Sequence, residues 1–280
     1  MLKVGIVGNK ENVLSRIKQW GMVGCVQVVG YHLAGNHSSD TVPGFYNFIE
    51  FSTLAQAVDI IDIVSENAQQ IEYIYEAIHF QKHLFLHNPF VLDTPSLQHI
   101  AKLIQEAKIK CQVGLYLRFL KELQPDLHTA PLKFIDIKCA YQAGDLMLEW
   151  QQLVNNHIDI VLKLLKSHVR KIFANSVAVE DNIKDLVNIR MQFDNGAIGD
   201  ILLNSSAIRL EHILSLYGIG YVSEIEVTQD KHHYIPEAAV NAALNSFISD
   251  IQQDNVTKVT IFDAINSVEL ASEIVKQIES

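Results

Sequence analysis

The residues best placed to do chemistry are His87 and Asn88, in the run Lys82-His83-Leu84-Phe85-Leu86-His87-Asn88-Pro89-Phe90. Leu84 to Leu86 read as a strand, and Pro89, which cannot donate a ladder hydrogen bond, ends it near Asn88. Thr94 and Pro95 then open a helix, as N-cap and first turn, with Leu97, Ile100, Leu103, Ile104 and Ala107 at helical spacing. Two polar side chains thus fall at the carboxyl edge of a sheet, where open α/β folds bind ligands. Histidine titrates near neutral pH and can move a proton, whereas an amide can only hold a hydroxyl or carbonyl. The alternative role for His87 is a structural hydrogen bond at the strand end.

The elements before this stretch read as a nucleotide-binding unit with altered contacts. Leu2 to Val7 is a β-rich apolar run ending at Gly8, followed by a polar turn and a helix over Val13 to Trp20. The turn Gly8-Asn9-Lys10-Glu11-Asn12-Val13 keeps only the first glycine of G-x-G-x-x-G. A side chain at Lys10 crowds a pyrophosphate, although the helix N-terminus still favours an anion. Lys10 either supplies a charged contact there or stands as a solvated loop lysine. A second strand, Val26 to Tyr31, ends in Tyr31-His32, with no carboxylate for an adenosine ribose. His32 can meet a 2′-phosphate or be an exposed loop histidine. A third strand, Ala57 to Ser65, runs into Ser65-Glu66-Asn67, and Ile71 to Phe80 follows as a helix. After the Thr94 helix comes a strand from Cys111 to Tyr116. This alternation predicts a Rossmann-like, doubly wound parallel sheet over residues 1–118.

From Leu120 the pattern changes. Leu132 to Tyr141 reads as a long strand and Leu153 to Lys166 as a helix. Val177 to Val179, Asp185 to Phe193, Ala197 to Ser205, Ile208 to Tyr217 and Tyr221 to Thr228 read as strands, with Asp194-Asn195-Gly196 a hairpin turn between two of them. Pro236 to Asp250 and Asp263 to Ile278 close the chain as helices. Strands in succession predict a large, mainly antiparallel sheet in an α+β domain over residues 119–280. Helices on one face leave the other to bury.

At 280 residues two domains are the natural prior. The formal net charge of −10, with no Lys/Arg stripe, argues against nucleic acid and anionic membrane as partners. No apolar run approaches a membrane span, and Met1 to Gly8 read as a strand rather than a signal sequence, which predicts a cytoplasmic protein. Cys25, Cys111 and Cys139 have no C-x-x-C spacing and read as buried thiols in a reducing compartment. His232-His233 has no third ligand at metal spacing, Ser205-Ser206 has no nucleophile elbow, and His212 is one of several scattered histidines; no metal site is assigned.

Taken together, the chain resembles the Gfo/Idh/MocA family of NAD(P)-dependent oxidoreductases over essentially its whole length. Lys3-Val4-Gly5-Ile6-Val7-Gly8 opens the resemblance, and Asp59 to Asn67 is similar to D-A-V-V-I-A-T-P-N. Lys82 to Pro89 is similar to K-H-V-L-C-E-K-P, Val113 to Phe119 to V-G-F-x-x-R-F, and Met191 to Gly199 to R-F-E-N-G-A-x-G. The resemblance implies an NAD or NADP cofactor on the N-terminal domain, through Gly8, Asn9, Lys10, Tyr31, His32, Ser65, Glu66 and Asn67. It further implies a small carbonyl, imine or sugar-like ligand in an interdomain cleft. The open face of the C-terminal sheet is implied to pack against a second subunit, as a homodimer or higher homo-oligomer through that sheet. The family's catalytic lysine falls on Asn88, and its H-x-x-D histidine on Asn156, with Asp159 as the acid. Asn156 and Asp159, at i and i+3, share a helix face, while His157 points elsewhere. The expected site residues are therefore His87, Asn88, Asn156 and Asp159. They fit either a divergent oxidoreductase relying on His87 or no protein acid, or an inactive pseudo-oxidoreductase that binds a ligand or partner.

Overall fold

The structure, a computed structural model, describes residues 1–35, 41–65, 69–123, 131–142, 146–178, 185–227 and 235–279. The chain forms two compact units: Met1–Gly114 with Val240–Ile265, and Leu115–Ala239 with Asn266–Ser280.

In the first unit β1 (Leu2–Gly8), α1 (Lys10–Gly21), β2 (Val26–Leu33), β3 (Tyr46–Asn47), α2 (Phe51–Ala57) and β4 (Ile60–Ile63) come in order. They are followed by α3 (Gln70–His79), β5 (His83–Leu86), α4 (Thr94–Ala107) and β6 (Cys111–Val113). The strands form one parallel sheet in the order β3-β2-β1-β4-β5-β6, the doubly wound arrangement expected. Val4, Ile6, Ile60, Ile61, Ile63 and Leu84 to Leu86 are fully buried, as parallel strands covered on both faces require.

Some ends differ from the sequence reading for local reasons. The Ala57–Ser65 run splits, because Ala57 ends an α2 that buries Phe51, Leu54 and Ala55. Asp93, not Thr94, caps α4: its side chain accepts from Ser96 N at 2.9 Å, which puts Thr94 and Pro95 in the first turn.

The second unit contains β7 (Leu132–Gln142), α5 (Leu146–Leu165), β8 (Val169–Val177), β9 (Leu186–Phe193), β10 (Ile198–Asn204), β11 (Ser206–Gly218) and β12 (Tyr221–Glu226). Helices α6 (Glu237–Gln252) and α7 (Ile261–Glu279) each contribute to both units. The sheet order is β12-β11-β7-β10-β9-β8, and β7 pairs β10 in parallel while the other pairs are antiparallel. That parallel pair departs from simple succession: α5, β8 and β9 lie between the two strands and supply the long crossover a parallel neighbour needs. The hairpin between β9 and β10 forms at Asp194-Asn195-Gly196, where Gly196 takes φ +77°. β8 is longer than the expected Val177–Val179 because it buries only Ala174, leaving no alternation to read.

Cys25 is exposed rather than buried, and Cys111 and Cys139 are buried thiols outside any disulfide. Among the described residues no helix is long and apolar enough to cross a membrane.

Candidate functional site

The strand order reverses between β1 and β4, and those expected N-terminal site residues that the structure describes lie at the carboxyl ends of these strands and their neighbours. Gly8 ends β1 against Val64, where an added Cβ would stand 2.6 Å from Val64 Cγ2. Asn9 caps α1, its Oδ1 accepting from Asn12 N at 2.8 Å, and Lys10 begins the helix. Asn12 Nδ2 donates to Val64 O at 3.2 Å, tying the helix start to the end of β4. Ser65 is buried there; Glu66, Asn67, His232 and His233 lie outside the described residues.

At the end of β2 the side chains face partners within the protein. Tyr31 is fully buried and its hydroxyl accepts from Val42 N at 2.7 Å. His32 Nδ1 donates to Phe48 O at 2.9 Å, with its ring against Phe51 and Tyr73. An adenosine ribose finds no carboxylate among these residues.

At the end of β5, His87 is governed by a residue that sequence reasoning missed. Arg16, on the apolar face of α1, sends Nη2 to His87 Nδ1 at 2.9 Å and Nε to Asp62 Oδ2 at 3.0 Å. Trp20 Nε1 donates to the same Asp62 oxygen at 2.7 Å. Asp62 sits on β4 with no exposure, and burial pushes its carboxyl up, against the lowering effects of Arg16 and Trp20. A guanidinium has no acceptor, so His87 Nδ1 must accept, and its ring is the neutral Nε2–H tautomer. In that state His87 is a hydrogen-bond donor at Nε2 rather than a base.

Asn88 is 1% exposed, and among the described residues its Oδ1 meets no donor. Beside it, Gln70 on α3 donates from Nε2 to Asn88 O at 3.0 Å and leaves its own buried Oε1 unmet. Two orphaned acceptors at a ligand edge suit a molecule carrying hydroxyl or amide donors. A nicotinamide dinucleotide therefore fits the residues at the α1 N-terminus and at Asn88, and lacks its usual acid at the end of β2.

In the second unit Asn156 and Asp159 share a face of α5, as expected, and both grip one short turn, Tyr116–Phe119. Asn156 Oδ1 accepts from Tyr116 N at 2.7 Å and from Leu117 N at 3.4 Å, and its Nδ2 donates to Gln152 O at 2.9 Å. Asp159 takes a two-point bond from Arg118, Nε to Oδ2 at 2.6 Å and Nη2 to Oδ1 at 2.5 Å.

His157 points the other way, toward the sheet, and joins a group the linear spacing hid. Its Nδ1 donates to Leu153 O at 2.6 Å and its Nε2 faces His212 Nε2 at 3.0 Å. His212 on β11 is the cross-strand partner of Cys139 on β7. One donor atom from each of the three residues lies within 4.8 Å of the other two. Burial holds the His157 imidazole down to about 4 and pushes the Cys139 thiol up to about 12.

No family model matches the sequence, and no curated protein does. Solved structures match over the whole chain. A probable dehydrogenase from Thermotoga maritima aligns with TM-score 0.88 at 14% identity, covering 99% of this chain and 97% of that one. UDP-N-acetylglucosamine 3-dehydrogenase from Acidithiobacillus ferrooxidans aligns with TM-score 0.85 at 14% identity, over 99% and 98%. Scyllo-inositol dehydrogenase from Lactobacillus casei, with bound NAD(H) and scyllo-inositol, aligns with TM-score 0.80 at 16% identity, over 100% and 97%. The chain has the fold of these dehydrogenases, the fold that the resemblance to the Gfo/Idh/MocA family implied.

Proposed function

We propose that this protein is an NAD- or NADP-dependent oxidoreductase of the Gfo/Idh/MocA type, acting on a small carbonyl, imine or sugar-like substrate through a divergent site. The observation that carries the reading is the buried, unmet Asn88 Oδ1 at the carboxyl edge of the sheet. Leaving such an acceptor without a donor costs about 1–3 kcal/mol, which a bound hydroxyl or amide recovers. Gly8, Asn9 and Lys10 would hold the cofactor's phosphates at the α1 N-terminus, with Tyr31 and His32 toward the adenosine. Ser65, Glu66 and Asn67 would line its other half. When bound, a nicotinamide cofactor would supply hydride chemistry there. Asn88 orients a substrate hydroxyl, and His87, held neutral by Arg16, donates from Nε2 to the reacting oxygen and polarises it. A neutral imidazole donor does not give up that proton readily, so solvent supplies the proton of reduction.

The engaged state of Asn156 and Asp159 favours a second reading. Asn156 Oδ1 and both Asp159 oxygens are engaged by the Tyr116–Phe119 turn, and a protein whose helix pair is structural can persist as an inactive ligand- or partner-binding module. Titrating NADH and NADPH by fluorescence or calorimetry, then assaying inositols and nucleotide sugars for oxidation, separates the two. Binding with turnover supports the first reading. Absence of binding by either nucleotide at millimolar concentration sinks it, and binding without turnover on any substrate leaves the second.

The same resemblance, with the outer face of the second sheet, supports a homo-oligomer. Phe134, Tyr217 and Val222 are paired across β7, β11 and β12, and Phe173 and Val177 are exposed on β8.

A further inference from the structure

We propose that Cys139, His157 and His212 form a binding site for one monovalent soft cation, Cu(I). Three observations carry this. First, the donors are of the right kind: a thiol and two imidazoles, which suit thiophilic and borderline cations. Second, they are gathered by three elements: β7 and β11 place Cys139 opposite His212, and α5 brings His157 against both. All three are at most 1% exposed. Third, the His157 Nδ1–H is spent on Leu153 O, which leaves the Nε2 lone pair aimed at the group. Metal-bound histidines are oriented by this same kind of outer hydrogen bond.

The geometry needs little adjustment. Donors about 2.0–2.3 Å from one ion stand roughly 3.3–3.7 Å apart, and here the two Nε2 atoms are 3.0 Å apart and all three donors lie within 4.8 Å. The charge balance selects the cation. On binding, the Cys139 thiol releases its proton to solvent, His212 moves its proton from Nε2 to Nδ1, and both imidazoles stay neutral. A thiolate and a monovalent ion then sum to zero, whereas Zn(II) leaves one uncompensated positive charge in a dry core. Among the described residues no carboxylate and no further histidine or cysteine joins the group, so a tetrahedral ion lacks a fourth ligand of these kinds while a three-coordinate one is satisfied.

The test uses the full chain in a Cys25→Ser background, which removes the exposed thiol. Anaerobic titration with Cu(I) against a chromophoric Cu(I) chelator is expected to show one ion retained per chain. X-ray absorption of that complex is expected to give a shell of two nitrogens and one sulfur. Cys139→Ala keeps the histidine pair and is expected to weaken Cu(I) binding roughly a hundredfold or more, with the metal-free melting temperature little changed. Loss of all Cu(I) to the chelator, a shell without sulfur, undiminished binding by Cys139→Ala, or tighter binding of Zn(II) than of Cu(I) each overturns the proposal. The absorption measurement needs no variant, so it decides even where a substitution impairs folding.

Discussion

Arg16→Met isolates one buried charge. The substitution keeps an unbranched side chain of similar reach over Phe85 but removes the guanidinium from Asp62, which has no exposure. At the 3.0 Å separation of Arg16 Nε and Asp62 Oδ2, an effective dielectric near 20 puts the attraction at about 5 kcal/mol. The charge left behind relaxes partly by taking up a proton, so a loss of about 3–5 kcal/mol is expected at neutral pH. The pH dependence follows from the direction of the Asp62 shift. Its folded value is already above the unfolded 3.8, and loss of Arg16 raises it further. A raised folded value gives stability that is fully present below the unfolded value and is lost as pH rises through the folded one. The variant should therefore approach the parent in acid and fall away from it toward neutrality. Urea unfolding followed by Trp20 fluorescence, in a Trp150→Phe background, reads the first unit. Arg16→Met/Asp62→Leu, which removes both charges, should recover most of the loss. A penalty under about 1 kcal/mol, or a double variant no better than the single one, would refute the reasoning.

Asn156→Leu strands the buried Tyr116 N–H and should cost about 1–3 kcal/mol by chemical denaturation, whatever it does to activity. Arg118→Lys cannot reproduce the two-point bond to Asp159 and should destabilise the second unit, read as a lower denaturation midpoint. Gly8→Ala forces a Cβ toward Val64 and should cost about 1–3 kcal/mol, with weakened dinucleotide binding by calorimetry. Val222→Lys on the exposed sheet face should shift the protein to monomer in light scattering; an unchanged mass removes that face as the interface.

The sheet of the first unit was readable because parallel strands covered on both faces leave near-continuous apolar runs, such as Val4 to Val7 and Leu84 to Leu86. The edge strand β8 was not, since a strand that buries one residue carries no periodic signal. The position of the sheet's carboxyl edge was readable from Pro89 and the glycine at the end of β1. Its electrostatics were not, although the signal was there. Arg16 interrupts the apolar stripe of Val13, Ile17 and Trp20, and Asp62 interrupts an apolar strand; a charge in each of two adjacent buried elements implies a pair. The Cys139–His157–His212 group was hidden by its chain separation. Period-2 alternation does set Cys139 with Ile135 and Ile137, and His212 with Leu214 and Leu216, on the core face. Their meeting still depends on the β7–β11 register, which no local pattern specifies.

The split of the first unit between Met1–Gly114 and Val240–Ile265 bears on how the chain is made. Strand β6 completes its bonding with residues that leave the ribosome long after it does. Val113 N donates to Val259 O, Cys111 O accepts from Thr257 Oγ1, and Gln112 Nε2 donates to Ala243 O. At translation rates of about 5–20 residues per second the wait between Val113 and Val259 is roughly 7–30 s. During that interval β6 is an open edge of a parallel sheet whose Gln112 side chain has not met its acceptor. Such an edge is a template for mispairing. Until Val259 has been made, whatever state the earlier strands have reached, β6 lacks the full set of three partners that seal it.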